Sequence, residues 1–489
     1  MTSIYSAGWV LPIIAPAIED GAVAIDGSKI VATGPRVEVI SRFPGARVSD
    51  FGQAAILPGL VNAHSHLELT VMRGFLESVE HDFAAWLRKL TTARMAMTAE
   101  DLLVSATRGA IEAARAGVTC LGDSCSAATH AIKALQQVGM RGIVYHESFG
   151  PDPNLAEENV AKLREQIAEI RGHESRLVRA GISPHAPYTV SAPLLELISR
   201  LSIDEKLPLM MHAAESRAEK SFMLDGLGRF AEGLKARGIE WQAPGISTIE
   251  YLARHGILET KPLLAHCINV DDSDLELIKQ SGAGIAHCPK SNAKLGHGRA
   301  PFQKFLAHGI NVGLGSDSVA SNNTCDILEE ARFATLIARL DRGSSPRVSK
   351  GVGSVRGISP RVSKGSAYSF EGKAREALPH ARANAPVFAK DALFAATLGG
   401  ACALGLENQI GALAEGMQAD ITAVSLNGAH QQPVRDPADA LVFSTSGQDV
   451  LLTMVAGKEI YRDGHVSTLD EGEFRNRLET IRIRLDSLR

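Results

Sequence analysis

The sequence has little that would tie it to a membrane, a nucleic acid or an oxidising compartment. Its six cysteines are scattered over 489 residues with no C-x-x-C pair, which suits free thiols in a reducing cytoplasm better than a disulfide framework. Neither sign of charge dominates. The formal net charge is -4 and the pI near 6.5, so electrostatics give no ground for nucleic-acid or membrane-surface binding. The N-terminus lacks a basic n-region, and its apolar stretch from Trp9 to Ile18 is broken by Pro12 and Pro16. That pattern fits neither a signal peptide nor a membrane span. The expectation is a cytoplasmic protein without nucleic-acid or membrane partners, with homo-oligomerisation left open.

What remains is an ordinary globular composition, 45% hydrophobic and 22% charged, in a chain longer than one compact core usually needs. One large domain with a smaller companion is the starting expectation. Residues 1–56 carry short β-type runs bounded by glycine, such as Gly21 to Gly27 and Lys29 to Gly34. Further on, β-runs alternate with helix-length segments. Eight strands are predicted: Ile56–Ala63, Val118–Gly122, Gly142–His146, Leu177–Ser183, Leu207–His212, Leu263–His266, Ala283–His287 and Ile310–Gly315. Eight such units predict an α/β fold, a (β/α)8 TIM barrel over 57–410. Beyond Ile410 the chain is β-like again before a charged helix, Glu471–Leu488, so 1–56 and 411–489 are predicted to combine into a small composite β-sandwich domain. A Ser-, Gly-, Arg- and Lys-rich stretch at about 341–375 contains the heptapeptide Ser-Pro-Arg-Val-Ser-Lys-Gly twice, at 345–351 and 359–365. It reads as a flexible basic insertion rather than core.

The chain turns on Leu57 to Leu69, Leu-Pro-Gly-Leu-Val-Asn-Ala-His-Ser-His-Leu-Glu-Leu. Side chains two apart on a strand share a face, so His64 and His66 point to one place. In a parallel barrel, chemistry gathers where strands end. Taking only the predicted strand ends collects His64, His66, His185, His212, His266 and Asp317. Imidazoles with a carboxylate suit Zn²⁺, with Fe²⁺ as the alternative. Glu215, three residues past His212, can turn back toward such a site as a proton carrier, or can be a helix N-terminal glutamate stabilised by the dipole.

The motifs Leu-Pro-Gly-Leu-Val-Asn-Ala-His-Ser-His, His-Ala-Ala-Glu, Leu-Leu-Ala-His-Cys, Ser-Asn-Ala-Lys-Leu-Gly-His-Gly-Arg-Ala-Pro and Gly-Ser-Asp-Ser-Val-Ala-Ser-Asn-Asn resemble the amidohydrolase superfamily. Within it they resemble the aminohydrolase branch holding S-adenosylhomocysteine/methylthioadenosine deaminases and triazine hydrolases. The resemblance implies one divalent metal ion held by His64, His66, His212 and Asp317. Leu177 to His185 lacks the lysine that bridges a second metal in other branches. It further implies that Asp317 accepts a proton from the attacking water, His266 orients the attack, and Glu215 protonates the substrate ring nitrogen. The implied activity is hydrolytic deamination of an adenine-nucleoside-type small molecule. A chloro- or amino-azine hydrolase and a non-catalytic barrel scaffold are the alternatives.

For the substrate, His185 resembles the family histidine that contacts the sugar or side chain, and can equally cap its loop. Where adenosylhomocysteine deaminases carry an arginine, this chain reads Tyr145-His146-Glu147-Ser148, which makes His146 a candidate contact. Glu68 can accept from sugar hydroxyls or cap a helix. The His-Leu-Glu-Leu continuation, the Phe83…Trp86-Leu87 segment and Glu215-Ser216…Glu219…Phe222 resemble aminodeoxyfutalosine deaminases. That resemblance makes Trp86 a substrate contact and offers Arg73, Arg217 or Arg229 to a substrate carboxylate.

Overall fold

The computed structural model describes residues 2–340 and 386–487. The N-terminal segment contributes β1 (Ser3–Val10), β2 (Ile18–Asp26), β3 (Lys29–Pro35), β4 (Arg47–Asp50) and β5 (Ala54–Pro58). Eight strands of the barrel follow: β6 (Leu60–Ser65), β7 (Val118–Cys125), β8 (Arg141–Ser148), β9 (Val178–Pro184), β10 (Met210–Ala213), β11 (Leu263–His266), β12 (Gly284–His287) and β13 (Asn311–Leu314). The C-terminal segment adds β14 (Ile421–Ser425), β15 (Val450–Val455), β16 (Lys458–Arg462) and β17 (His465–Val466).

Strands β6 to β9 and β10 to β13 pair in parallel as two four-stranded arcs. Parallel bridges Ile182↔Leu209 and Ser65↔Asp317 close the arcs into a (β/α)8 barrel. The strands are buried on both faces, as helix-covered parallel strands must be: every residue of β6, β7, β10, β11 and β12 is buried. Inside, Val61, Ala63, Ile143, Tyr145, Met210 and Ala265 pack together.

The run Ile56–Ala63, predicted as one strand, is two. It breaks at Gly59, whose added Cβ would lie 2.1 Å from a Thr119 methyl. No other residue lets the chain press so closely against β7. Before the break, β5 pairs with β14 antiparallel, Ile421 opposite Pro58. That pair joins the two ends of the chain in one nine-stranded sheet. Beneath it, Arg141 at the start of β8 donates from Nε and Nη2 to Asp420 at 2.8 and 3.0 Å, both side chains being buried.

The C-terminal helix, Glu471–Asp486, was grouped by sequence position with the small sheet, but its contacts are with the barrel. Arg115 on the helix Ala99–Arg115 donates to Glu471 at 2.8 Å, and Arg484 pairs with Asp101. Its Ile481 and Leu485 complete an apolar cluster with Met72, Leu76, Trp86 and Leu102, so the helix supports the loop that follows β6. The insertion at 341–375 lies outside the described residues. Among the described residues, no helix is long and apolar enough to cross a membrane.

Candidate metal centre and active-site cavity

Four imidazoles and a carboxylate meet at the C-terminal end of the barrel. β6 supplies His64 and, immediately past its end, His66, with ring centroids 4.8 Å apart. β10 supplies His212, β11 ends in His266, and Asp317 follows β13. Asp317 Oδ1 lies 3.5 Å from both His64 Nε2 and His66 Nε2. His66 Nε2 and His212 Nε2 face each other at 3.3 Å. Burial drives the pKa of His64 down to about 3 and lowers those of His66 and His212, so these rings are neutral and offer lone pairs. Burial also opposes the charge on Asp317, yet His64 and His266 beside it hold its carboxyl well below the usual carboxylate range.

A divalent cation fits this donor set. The Nε2 of His64 is buried with no hydrogen-bond partner, which is costly unless something occupies its lone pair. Because His212 Nδ1 faces a carbonyl and must carry the proton, its Nε2 presents a lone pair toward His66 Nε2 at 3.3 Å, a donor a cation can use. The far sides are anchored as metal ligands usually are. His212 Nδ1 donates to the His185 carbonyl at 2.9 Å, and Asp317 Oδ2 accepts from Ser291 and Ser321 at 2.5 and 2.8 Å. β9 reads Val-Arg-Ala-Gly-Ile-Ser-Pro, with no lysine to bridge a second ion.

Beside the cluster, Glu215 Oε1 lies 3.6 Å from His266 Nε2 and 3.4 Å from His297 Nε2. Burial pushes against its ionisation, but His266 and His297 outweigh that and bring its pKa down to about 2. His266 Nδ1 donates to Asn292 Oδ1 at 2.9 Å, which aims its Nε2 at the site. The backbone is strained here. Ala214, His266 and Asp317 all have positive φ, at 53°, 73° and 56°, a conformation non-glycine residues adopt only when their surroundings enforce it.

A cavity of about 790 Å³ opens above this floor, toward the upper end of the range for small-molecule sites. Phe83, Trp86, Tyr188 and Phe230 form aromatic walls, with Tyr188 stacked on Phe230 at 3.9 Å. Arg88, Arg229 and Arg237 also line it. Arg229 is paired with Asp82 at 3.0 Å. His185 lines the cavity with Nδ1 3.0 Å from Thr189 Oγ1, and Trp86 lines it with a buried, unpartnered Nε1.

Four expected substrate contacts come out differently. His146 does not line the cavity. Tyr145 faces the barrel interior, so Glu147, two residues on, shares its side and reaches the cavity, while His146 points back toward Gln166 on the helix Ala156–Arg171. Arg217 is exposed at the start of the helix Arg217–Asp225, outside the cavity. Glu68 reaches the cavity edge, but its carboxylate already accepts from Arg94 Nε at 2.8 Å and from the Ser126 and Ala127 amides at 3.3 and 2.9 Å. It is the helix cap of its two readings. Arg73 is also away from the cavity, bound to Glu112 and the Asn323 carbonyl. Glu147 and His297 stand in quoted motifs but were given no site role from the sequence. Glu147 sits 3.9 Å from His66 Nδ1, and a strand-end rule applied to β8 could have found it.

A parallel eight-stranded barrel that gathers neutral imidazoles and an aspartate at its C-terminal end, under a deep cavity, is built as a metal-dependent enzyme. The Amidohydrolase family model matches residues 55–354 and 357–460, and the chain belongs to that family, as a hydrolase acting on carbon–nitrogen bonds. An Imidazolonepropionase-like composite domain (bacteria) matches residues 21–46. The chain is 30% identical over 456 residues to a 5-methylthioadenosine/S-adenosylhomocysteine deaminase of Nitratidesulfovibrio vulgaris, covering 93% of this chain and 90% of that protein. It is 30% identical over 469 residues to one of the same description from Syntrophobacter fumaroxidans, covering 95% and 93%. Among solved structures, a zinc-bound adenosine deaminase from Xanthomonas campestris superposes with TM-score 0.80 at 26% identity, over 99% of this chain and 98% of that one. A zinc-complexed atrazine chlorohydrolase from Arthrobacter aurescens TC1 shares the fold at TM-score 0.77 and 21% identity, over 98% and 99%.

Proposed function

We propose that this protein hydrolytically deaminates an adenine-nucleoside-type substrate, releasing ammonia, with one divalent metal ion held by His64, His66, His212 and Asp317. Zinc is the favoured ion, as in the adenosine deaminase from Xanthomonas campestris. The observation that carries the reading is Glu215, a buried carboxylate 3.6 Å from His266 at the cavity floor, directly beside the metal ligands. Removal of an amino group from an electron-poor ring requires a proton at the ring nitrogen beside the attacked carbon, and Glu215 is the carboxyl placed to carry it.

An ion bound there supplies Lewis acidity and a water whose pKa is brought toward neutrality. The chain's own groups do the rest. Ser291 and Ser321 occupy Asp317 Oδ2, and Oδ1, which accepts the Ser318 amide at 2.7 Å, faces the centre and can accept a proton of the attacking water. His266, fixed through Asn292, orients that water and steadies the developing charge. As the ring carbon is attacked, negative charge grows on the adjacent ring nitrogen. Glu215, ionised at rest beside His266 and His297, takes one proton of the attacking water and delivers it to that nitrogen, and the water's second proton, taken by Asp317, goes to the amine as its C–N bond breaks. Positioned acid–base catalysis of this kind contributes typically about 10²–10⁴-fold.

Aminodeoxyfutalosine is the favoured substrate, followed by S-adenosylhomocysteine, methylthioadenosine and adenosine. The aromatic walls suit the planar base, and Glu147 and His185 suit sugar hydroxyls. Arg88, Arg229 and Arg237 suit a carboxylate on the far side chain. The deaminases at 30% identity support the nucleoside class rather than this particular member. The test is an ammonia and ultraviolet assay of the zinc-loaded protein against all four nucleosides. Release of ammonia from at least one is expected. Inertness toward the whole panel refutes the reading, and chloride release from a chloroazine in that case favours an azine hydrolase instead.

A further inference from the structure

Glu219 is wholly buried, and no cation pairs with it among the described residues. Burying a carboxylate without a counter-ion is expensive unless its oxygens are fully satisfied. Here three neutral donors do so. The Ala214 amide and the Thr248 hydroxyl donate to Oε1 at 2.7 Å each, and the Glu215 amide donates to Oε2 at 2.8 Å. Glu219 is the third residue of the helix Arg217–Asp225, whose N-cap is Ser216. A glutamate at that position ordinarily bonds back to the amide of the cap residue itself. This one reaches past Ser216 to the two residues before it, which lie between His212 and the helix.

Those two residues form a strained turn. Ala214 is held at φ 53°, which an L-residue resists. The opposite side of the turn is held as well: the Ala214 carbonyl accepts the Ile268 and Asn269 amides at 2.9 and 2.8 Å, just past His266. The turn is therefore clamped between Glu219 on its amide side and the chain after β11 on its carbonyl side. It carries Glu215, whose distances to His266 and His297 depend on where the turn sits.

We infer that Glu219 is a positioning residue, which holds the Ala214–Glu215 turn in its strained form and so aims the Glu215 carboxyl at the reacting ring. The inference rests on the proposed role of Glu215. In Glu219→Gln the shape is kept, but the amide group turns one of the three contacts into a donor facing a donor. A displacement of about 1 Å at a reacting group can cost about 10²-fold.

The experiment uses the full-length, zinc-loaded protein. For E219Q, kcat on the best nucleoside should fall about ten- to a hundredfold, with KM within about threefold and zinc content at the parental level. In an E215Q background, adding E219Q should lower kcat no further, because the two changes act on one group. Amide hydrogen exchange at Ala214 and Glu215 should quicken in E219Q, a readout that needs no substrate. E219A, which removes all three acceptor contacts, should give a larger kcat loss in the same direction. Parental kcat in E219Q, loss of zinc together with kcat, or a full extra loss in the E215Q background would overturn the inference. So would unchanged exchange of the two amides, even if no nucleoside proves to be a substrate.

Discussion

Arg141→Met should destabilise the protein strongly while leaving the active site intact. The guanidinium of Arg141 and the carboxylate of Asp420 are 5% and 1% exposed and share two hydrogen bonds. Asp420 Oδ1 also accepts the Ala456 amide at 2.8 Å. Removing the arginine leaves a buried carboxylate with one amide donor, for which about 3–5 kcal/mol is the usual penalty. Unfolding entropy for a chain of 489 residues is roughly 1.0 kcal/mol per kelvin, so about 4 kcal/mol lowers Tm by about 4 °C. Adding Asp420→Asn should recover more than half of the loss, because the neutral amide keeps its oxygen for Ala456 while the uncompensated charge disappears. Catalysis below the transition should not change, since six residues of β8 at about 3.3 Å each separate Arg141 from Glu147. Differential scanning calorimetry of parent, single and double variants, with initial rates at 25 °C, checks this. A Tm within 1 °C of the parent for R141M, or a double variant as unstable as the single, refutes the reasoning.

Two further outcomes are expected. Arg88 and Arg237 line the cavity without an ion-pair partner within 4 Å among the described residues, so replacing both by alanine should raise KM about tenfold for a nucleoside with an anionic side chain and leave that for adenosine unchanged. Steady-state kinetics on the two substrates compare them. Dialysis against a chelator should abolish activity and lower Tm, both restored by zinc, because an ion at a hundred times its Kd stabilises the folded state by about 2.7 kcal/mol. Equal melting curves for treated and untreated protein would argue against a cation among His64, His66, His212 and Asp317.

The barrel was legible because alternating strand and helix patterns survive in sequence, and the metal centre because its ligands fall at strand ends. Period-two spacing put His64 and His66 on one side, and their rings do lie together. At β8 the candidate came from the resemblance, which points to His146, whereas period-two spacing from Tyr145, which faces the barrel interior, puts Glu147 at the cavity. His297 could not be read from any strand, since it follows the short helix Pro289–Lys294 on a loop and reaches Glu215 only through tertiary packing. Arginines at the cavity were subject to the same limit. Arg217, Arg229 and Arg237 lie on successive short segments, and only the orientation of the helix Arg229–Ala236 brings the latter two to the cavity. The strand predicted over Ile56–Ala63 failed for a local reason, because Gly59 within an apolar run looks like a tolerated strand glycine rather than a border.

That border has a consequence for how such a chain can be rebuilt. One residue separates β5, the last N-terminal strand of the sheet, from the strand that leads to His64 and His66, and the Gly59 amide is itself held by the Asp420 carbonyl at 2.9 Å. The sheet and the barrel are therefore not interchangeable cassettes. A chimera that takes its sheet from one relative and its barrel from another must place its junction somewhere other than Pro58 to Leu60. Otherwise the imported sheet sets the register of the histidine strand in a barrel that did not evolve with it.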